Sequence, residues 1–306
     1  MRGRIQLRKT MSKYYGMLAA AGAFVLWGVL PAYWKLLQDV PAYEILCHRM
    51  VWSLLLTLGL VYFYGRQIVF RKAVRERKNL ITFTVTSLLL AVNWLLYIWA
   101  VNAGFIVEAS LGYFINPLIS VLFGMIFFRE RMRPAQWVAL LLAAFGVLYL
   151  TFYYGQFPWI AIVLAVTFAV YGLLHKKNKL APLDGLCLET GVVFIPALLF
   201  LAGLEVRQGG SFWHIGLSGS LLLAGSGIIT TVPLLLFGYA AQKIPLSSLG
   251  LLQYLAPSIN LVLGVFVYGE DFSRARMVGF LFIWLALGLY MAENIFRRLR
   301  QEKKIL

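Results

Sequence analysis

Apolar residues gather in ten runs of about 20, near 14–37, 42–64, 80–101, 107–128, 135–153, 158–175, 185–204, 217–241, 246–268 and 276–296, with short polar stretches between them. A helix rises about 1.5 Å per residue, so each run matches the roughly 30 Å hydrocarbon core of a bilayer. The pattern predicts an all-α integral membrane protein with ten transmembrane helices. The longest polar stretches, around 65–79 and 205–216, leave no room for a soluble catalytic domain.

Composition agrees with this reading: of 306 residues, 61% are hydrophobic and 13% charged, and the mean hydropathy is +0.80, outside the range of soluble domains. Lys and Arg number 28 against 12 Asp and Glu. On balance alone such an excess suits nucleic acid or an anionic membrane surface, and position decides between them. The basic residues lie in short loops, with no contiguous basic face, so nucleic acid is excluded as a partner. Taking alternate loops, 23 of the 28 fall on one side, including the N-terminus, Arg66 to Lys78, and the tail. Basic short loops stay cytoplasmic, which places both termini there and makes the expected location the plasma (cell inner) membrane, multi-pass. Arg2, Arg4, Arg8, Lys9 and Lys13 precede the first run as in a signal peptide. That run is too long for a signal and lacks a small-residue cleavage site, so a retained helix is expected. The clusters at 71–78 and 297–304 read as topology determinants and anionic-lipid contacts. Cys47 and Cys187 lie inside apolar runs, which argues against a disulfide framework.

Aligned with itself at an offset of 140, the chain pairs Pro117, Gly124 and Glu130 with Pro257, Gly264 and Glu270, Cys47 with Cys187, and Glu44 with Asp184. Such coincidences at one offset point to a duplication. The division is a basic N-terminus over 1–13, a first five-helix repeat over 14–153, a second over 158–296 and a basic tail over 297–306. Five spans per copy is an odd number, so the second copy is inverted. Inverted repeats with a site near mid-membrane are the plan of many secondary transporters, and two copies facing opposite ways supply two arrangements for alternating access.

The Pro, Gly and Glu spacing resembles the drug/metabolite transporter superfamily, in its EamA-type ten-helix members. Tyr43-Glu44-Ile45-Leu46-Cys47-His48-Arg49-Met50-Val51-Trp52-Ser53 resembles the RarD-type branch, as do Asn93-Trp94, Asn102 and Tyr113-Phe114-Ile115-Asn116-Pro117. The resemblance covers essentially the whole chain and implies the EamA-like fold and a permease. Two departures stand at helix ends: Arg129 where the family often has Gly, and no counterpart after Glu270 of Gln136.

Ionisable groups inside a membrane are costly and mark pathways by default. Arg49 and Glu189 are partners at the 140 offset, each about 12 Å deep and some 6 Å apart in height by helix rise. Opposite charges so placed are expected to pair, either lining a substrate path with His48 or locking the bundle as a buried ion pair. Glu44 and His48, four apart with Trp52 on the same face, are either a proton-coupling pair or a satisfied polar pair. Tyr113, Asn116 and Ser120 share a face beside Pro117, and Gln253 and Asn260 repeat the spacing around Pro257. Proline frees a backbone carbonyl, so the paired prolines are candidate helix breaks near a binding site, or packing kinks. Asn93 and Tyr97 share another face beside Trp94. Trp27, Tyr171 and Tyr254 are aromatic candidates for lining a cavity, with interfacial or core roles as the alternative. Glu130 and Glu270 are expected to cap the following helix or to pair with Arg131, Arg133, Arg274 or Arg276.

No phosphate-binding loop, metal-ligand spacing or nucleophile elbow occurs, so neither a primary pump nor an enzyme is expected, and no cofactor or metal. The expected function is secondary transport of small organic molecules such as amino acids, metabolites or drugs, by alternating access through a central cavity. A lipid flippase of the same fold is the alternative. The expected partners are a small-molecule substrate and the lipid bilayer, with proton coupling as an option; no oligomeric state follows from the sequence.

Overall fold

A computed structural model describes residues 2–103, 105–155, 157–207, 209–269 and 273–302. The helices are α1 (Arg2–Lys35), α2 (Ala42–Phe63), α3 (Gln67–Arg75), α4 (Arg77–Asn102), α5 (Ile106–Phe128), α6 (Pro134–Tyr154), α7 (Trp159–Lys177), α8 (Pro182–Val206), α9 (Gly216–Lys243), α10 (Leu246–Gln253), α11 (Leu255–Val262) and α12 (Arg274–Glu302). Among the described residues, nine helical segments are long and apolar enough to cross a membrane, and the shorter apolar segment Met277–Glu293 is the tenth. Ten membrane helices in two inverted sets of five account for the fold. The additional short helix, α3, carries Arg71, Lys72 and Arg75, part of the basic cluster in the sequence, and exposes Ile68 and Val69.

Local chemistry sets the helix boundaries. Proline opens α6 and α8 at a first-turn position, where its missing N–H costs nothing. The Gln136 side chain also accepts the Arg133 N–H at 3.0 Å. Arg129, with φ of 52°, and Gly155, with φ of 69°, end α5 and α6 in the left-handed region.

The two prolines act differently. Helix α5 runs through Pro117 unbroken, so the expectation of a break there is corrected. The span carrying Pro257 is divided at Tyr254 into α10 and α11, and continues in a wider π-type coil over Leu263–Val267. Pro257 has no N–H to give the carbonyl of Gln253, and the chain turns at the next residue.

Packing interleaves the two halves. Helix α2 packs on α8 and α9, α6 on α12, α5 on α7 and α10, and α1 on α9 and α11. The core therefore lies between the sets of five, around the fully buried Tyr171, Phe237, Tyr254 and Tyr290. Large side chains such as Phe152 and Phe266 point outward, as lipid-facing residues do. Between apolar helices in lipid, attraction comes from close packing, which small residues permit. Gly227 of α9 is one such contact: a Cβ there would stand 2.6 Å from the Trp52 backbone of α2.

Candidate transport site

Arg49 projects from the third turn of α2 into the interface with α9. Its Nε donates to Thr230 Oγ1 at 2.9 Å, and its guanidinium carbon lies 4.9 Å from the Trp34 ring centre and 4.2 Å from that of Trp94. Helices α1, α2, α4 and α9 thus meet around one cation. It takes part in no ion pair among the described residues, so the expected pairing with Glu189 is corrected. Two cation–π contacts are worth about 0.5–2 kcal/mol each and one charged hydrogen bond about 1.5–3. Placing a charge at mid-membrane costs at least about 2.5–3.5 kcal/mol, and more away from water, so these contacts hold the cation without supplying an opposite charge.

Glu189 is satisfied elsewhere. Its Oε1 lies 2.8 Å from His175 Nε2 and its Oε2 accepts from Tyr171 Oη at 3.3 Å. Glu189 is 2% and His175 4% exposed, so the carboxylate and imidazole are shut away together. Phe83 meets the His175 ring edge-on, and Ser87 of α4 donates to the Glu189 carbonyl at 2.8 Å. A cavity of about 20 Å³ lies between the two centres, lined by Met50, Ser87, Trp94, Glu189 and Thr230 among others. That volume admits roughly one water, so the bundle is closed to a solute here.

The other sequence candidates divide. Tyr97 and Tyr113 stack edge-on at 5.8 Å, and Tyr113 is close enough to Arg49 to interact with its charge. Tyr113 is 46% exposed, so this side of the centre is not packed over by the Tyr113 ring's neighbours. Trp27 and Tyr171 belong to an aromatic cluster with Phe168 and Phe237 that ends on His175. Asn93 bridges α4 to α7, donating to Leu164 O and Thr167 Oγ1, both at 2.8 Å. Asn116, Ser120 and Gln253 form a buried chain between α5 and α10. Tyr254 is wholly buried and donates to Phe114 O, its own partner at the 140 offset. Asn260 Oδ1 is buried with no hydrogen-bond partner among the described residues.

Glu44 and His48 stand 3.8 Å apart, beyond hydrogen-bond reach. The Glu44 carboxylate instead accepts the Ser211 N–H at 2.6 Å and its hydroxyl at 2.8 Å, and His48 stacks on Phe212. Its mate Asp184, wholly buried, accepts Arg66 Nε at 3.1 Å and Nη2 at 2.5 Å. These hydrogen bonds hold the Arg66 guanidinium above its ordinary pKa. Each carboxylate in the first turn of α2 or α8 therefore grips the loop that follows the other helix. The two clamps stand at opposite ends of the antiparallel α2/α8 pair.

Glu130 caps a helix, but neither the following one nor through an arginine. It accepts the N–H groups of Leu246 and Ser247 at 2.7 and 2.9 Å, at the start of α10, and lies 3.6 Å from Lys176. Arg133 pairs with Glu293 at 2.7 Å. Gly124 makes room for the cap: a Cβ there would lie 2.6 Å from Glu130 Oε2 and 3.0 Å from Ser247 N. Gly124→Ala is expected to cost about 1–3 kcal/mol through overpacking, read as a lowered unfolding temperature in detergent. An unchanged temperature would mean that the cap tolerates displacement. Glu270 lies outside the described residues, as do the side chains of Asn102, Arg276 and residues 297–304.

Sequence reasoning missed Trp34, Thr230, His175 and the Arg66 clamp. Tyr171 and His175, four apart on α7, carried the one readable signal, an aromatic and an imidazole on a shared face.

The EamA-like transporter family model matches twice, over residues 14–152 and 158–292. Protein RarD of Streptomyces exfoliatus is 44% identical over 272 residues, 89% of this chain and 86% of that protein. The uncharacterized transporter YojE of Bacillus subtilis is 42% identical, covering 92% and 94%, and protein RarD of Escherichia coli is 40% identical, covering 94% and 97%. A solved crystal structure superposes with a TM-score of 0.69 at 21% identity, over 90% of this chain and 96% of that one, a likeness of fold. Its twofold family match and these relatives make the chain a membrane transporter of the EamA-like transporter family, in the RarD-type branch.

Proposed function

We propose that the protein is a secondary transporter of small organic molecules such as amino acids, metabolites or drugs, working by alternating access between its inverted halves. The observation that carries this reading is Arg49: a cation without a counter-ion among the described residues, flanked by two tryptophans, where α1, α2 and α4 of one half meet α9 of the other. The two clamps support the alternation. Releasing Glu44 from Ser211 frees one end of the α2/α8 pair, and releasing Asp184 from Arg66 frees the other, so each end opens while the opposite one stays held. The basic-loop distribution favours the plasma (cell inner) membrane with both termini in the cytoplasm.

Proton coupling belongs to this reading, at Glu189 and His175 and no longer at Glu44 and His48. With one shared proton the Glu189–His175 pair is neutral, and without it the pair carries a buried negative charge, which is costly until water enters. Tyr171 on α7 faces the pair, and Asp184, with its bound Arg66, lies just over a turn before Glu189 on α8. The contacts given to the pair by α4 and α9 are Phe83, Ser87 and Gly238, none of them charged.

The test is uptake by purified protein in liposomes, across amino acids, aromatic metabolites and chloramphenicol, with and without a pH gradient. Saturable, gradient-sensitive flux that Arg49→Ala abolishes is the expected result. Lipid scrambling without flux of any solute would overturn the reading and leave a flippase.

A further inference from the structure

Resting on the transporter reading, we propose that Arg49 is an anion-recognition centre and that its ligands are monocarboxylates with a planar, aromatic body. The guanidinium commits its Nε to Thr230 and makes no other hydrogen bond to the described residues, which leaves the terminal amino groups for an oxygen pair. That fork matches a carboxylate in a bidentate geometry. Arg49 keeps partial exposure and the nearby Tyr113 is 46% exposed, so the cation is not sealed in by its neighbours.

The neighbours choose among ligand classes. A cationic ligand is repelled by Arg49, and the buried carboxylates of α2 and α8 that could offset this are already engaged: Glu44 by Ser211, Asp184 by Arg66, and Glu189 by His175 and Tyr171. A phosphate dianion needs a second positive charge, and among the described residues no other Lys or Arg side chain stacks on Trp34 or Trp94 beside Arg49. A monoanion balances the single guanidinium. Trp34 and Trp94 beside the charge, with Tyr97 and Tyr113 adjoining, form an aromatic wall suited to the flat body of the same molecule. The water-sized cavity below Trp94 and Thr230 leads to Glu189. A carboxylate seated on Arg49 would therefore bring a negative charge towards the proton-holding pair, which ties ligand binding to protonation.

Trp34 and Trp94 report directly on the site, so the test needs no transport. Purified protein in detergent is titrated with benzoate, benzamide and benzylammonium, three ligands of one shape and different charge, while tryptophan fluorescence is followed. Saturable quenching by benzoate is expected, with benzamide and benzylammonium at least about tenfold weaker, as loss of a charge-assisted pair implies. Trp94→Phe should reduce the amplitude, and Arg49→Gln should abolish saturation. Should Arg49→Gln fail to fold, Thr230→Val serves, weakening benzoate and not benzamide by releasing the guanidinium from its hydrogen bond. Equal binding of the three ligands, no saturable benzoate signal, or competition by inorganic phosphate as strong as that by benzoate would overturn the inference. The two levels fail separately: solute flux in liposomes without charge preference in the titration removes the carboxylate assignment alone. Benzoate binding without flux of any solute removes the transporter reading and keeps the site.

Discussion

Replacing Glu189 with glutamine should abolish accumulation driven by a pH gradient while leaving exchange of solute across the membrane intact. Glutamine keeps the length of the side chain and a hydrogen bond to His175 or Tyr171, so the packing of α7 against α8 survives. What it removes is the negative charge that makes proton binding favourable. The loss of concentrative uptake is expected to be at least about tenfold, with exchange within about twofold of the native protein, since the change falls on coupling and not on solute binding. Liposomes with equal pH on both sides, preloaded with solute, measure exchange; the same liposomes with an imposed gradient measure accumulation. Normal accumulation in Glu189→Gln would reduce the pair to a packing element. Glu189→Ala should do more: it orphans His175 Nε2 and the Tyr171 hydroxyl in the core, at about 1–3 kcal/mol for each unsatisfied group.

The second large effect is at the Arg66–Asp184 clamp, and its asymmetry is the informative part. Asp184 is wholly buried, whereas the Arg66 side chain is 33% exposed. Removing Arg66 strands a carboxylate that water cannot reach; removing Asp184 leaves a guanidinium that can turn to solvent. Breaking a buried pair from one side costs about 3–5 kcal/mol, and the exposure of Arg66 lowers this to about 2–3 for Arg66→Ala and about 1 for Asp184→Ala. Thermal unfolding of both variants and of the double variant in detergent checks this, the double lying close to Asp184→Ala. Equal losses in the two single variants would mean that Asp184 is hydrated. Because the clamp sits at one end of α2/α8, Arg66→Ala should also shift the conformational balance, seen as faster labelling of a cysteine introduced beside that loop.

The ten spans and their approximate ends were legible in the sequence because lipid imposes a length on every crossing helix and forbids unpaired backbone between them. The duplication was legible too, since Pro, Gly, Glu and Cys recur at one spacing in a chain otherwise rich in interchangeable apolar residues. Position along the helix also came out of the sequence: Arg49 and Glu189 each lie about eight residues into α2 and α8.

Rotation about the helix axis did not. In a soluble protein the buried face of a helix is the apolar one, but a helix in lipid is apolar on both its packed and its lipid face, so periodicity gives no sign of which way Arg49 points. Only the meeting of α2 with α9, α1 and α4 gave it Thr230, Trp34 and Trp94, and only the meeting of α7 with α8 gave Glu189 to His175. The same holds for Glu130, whose capping character was readable from its place at a helix end. Its target, α10 in the other half of the chain, was not. The sequence by itself determined how many helices cross the membrane and that the chain is built twice. The tertiary structure decided which side chains meet, because partner choice depends on the angle at which each helix presents its face to its neighbours.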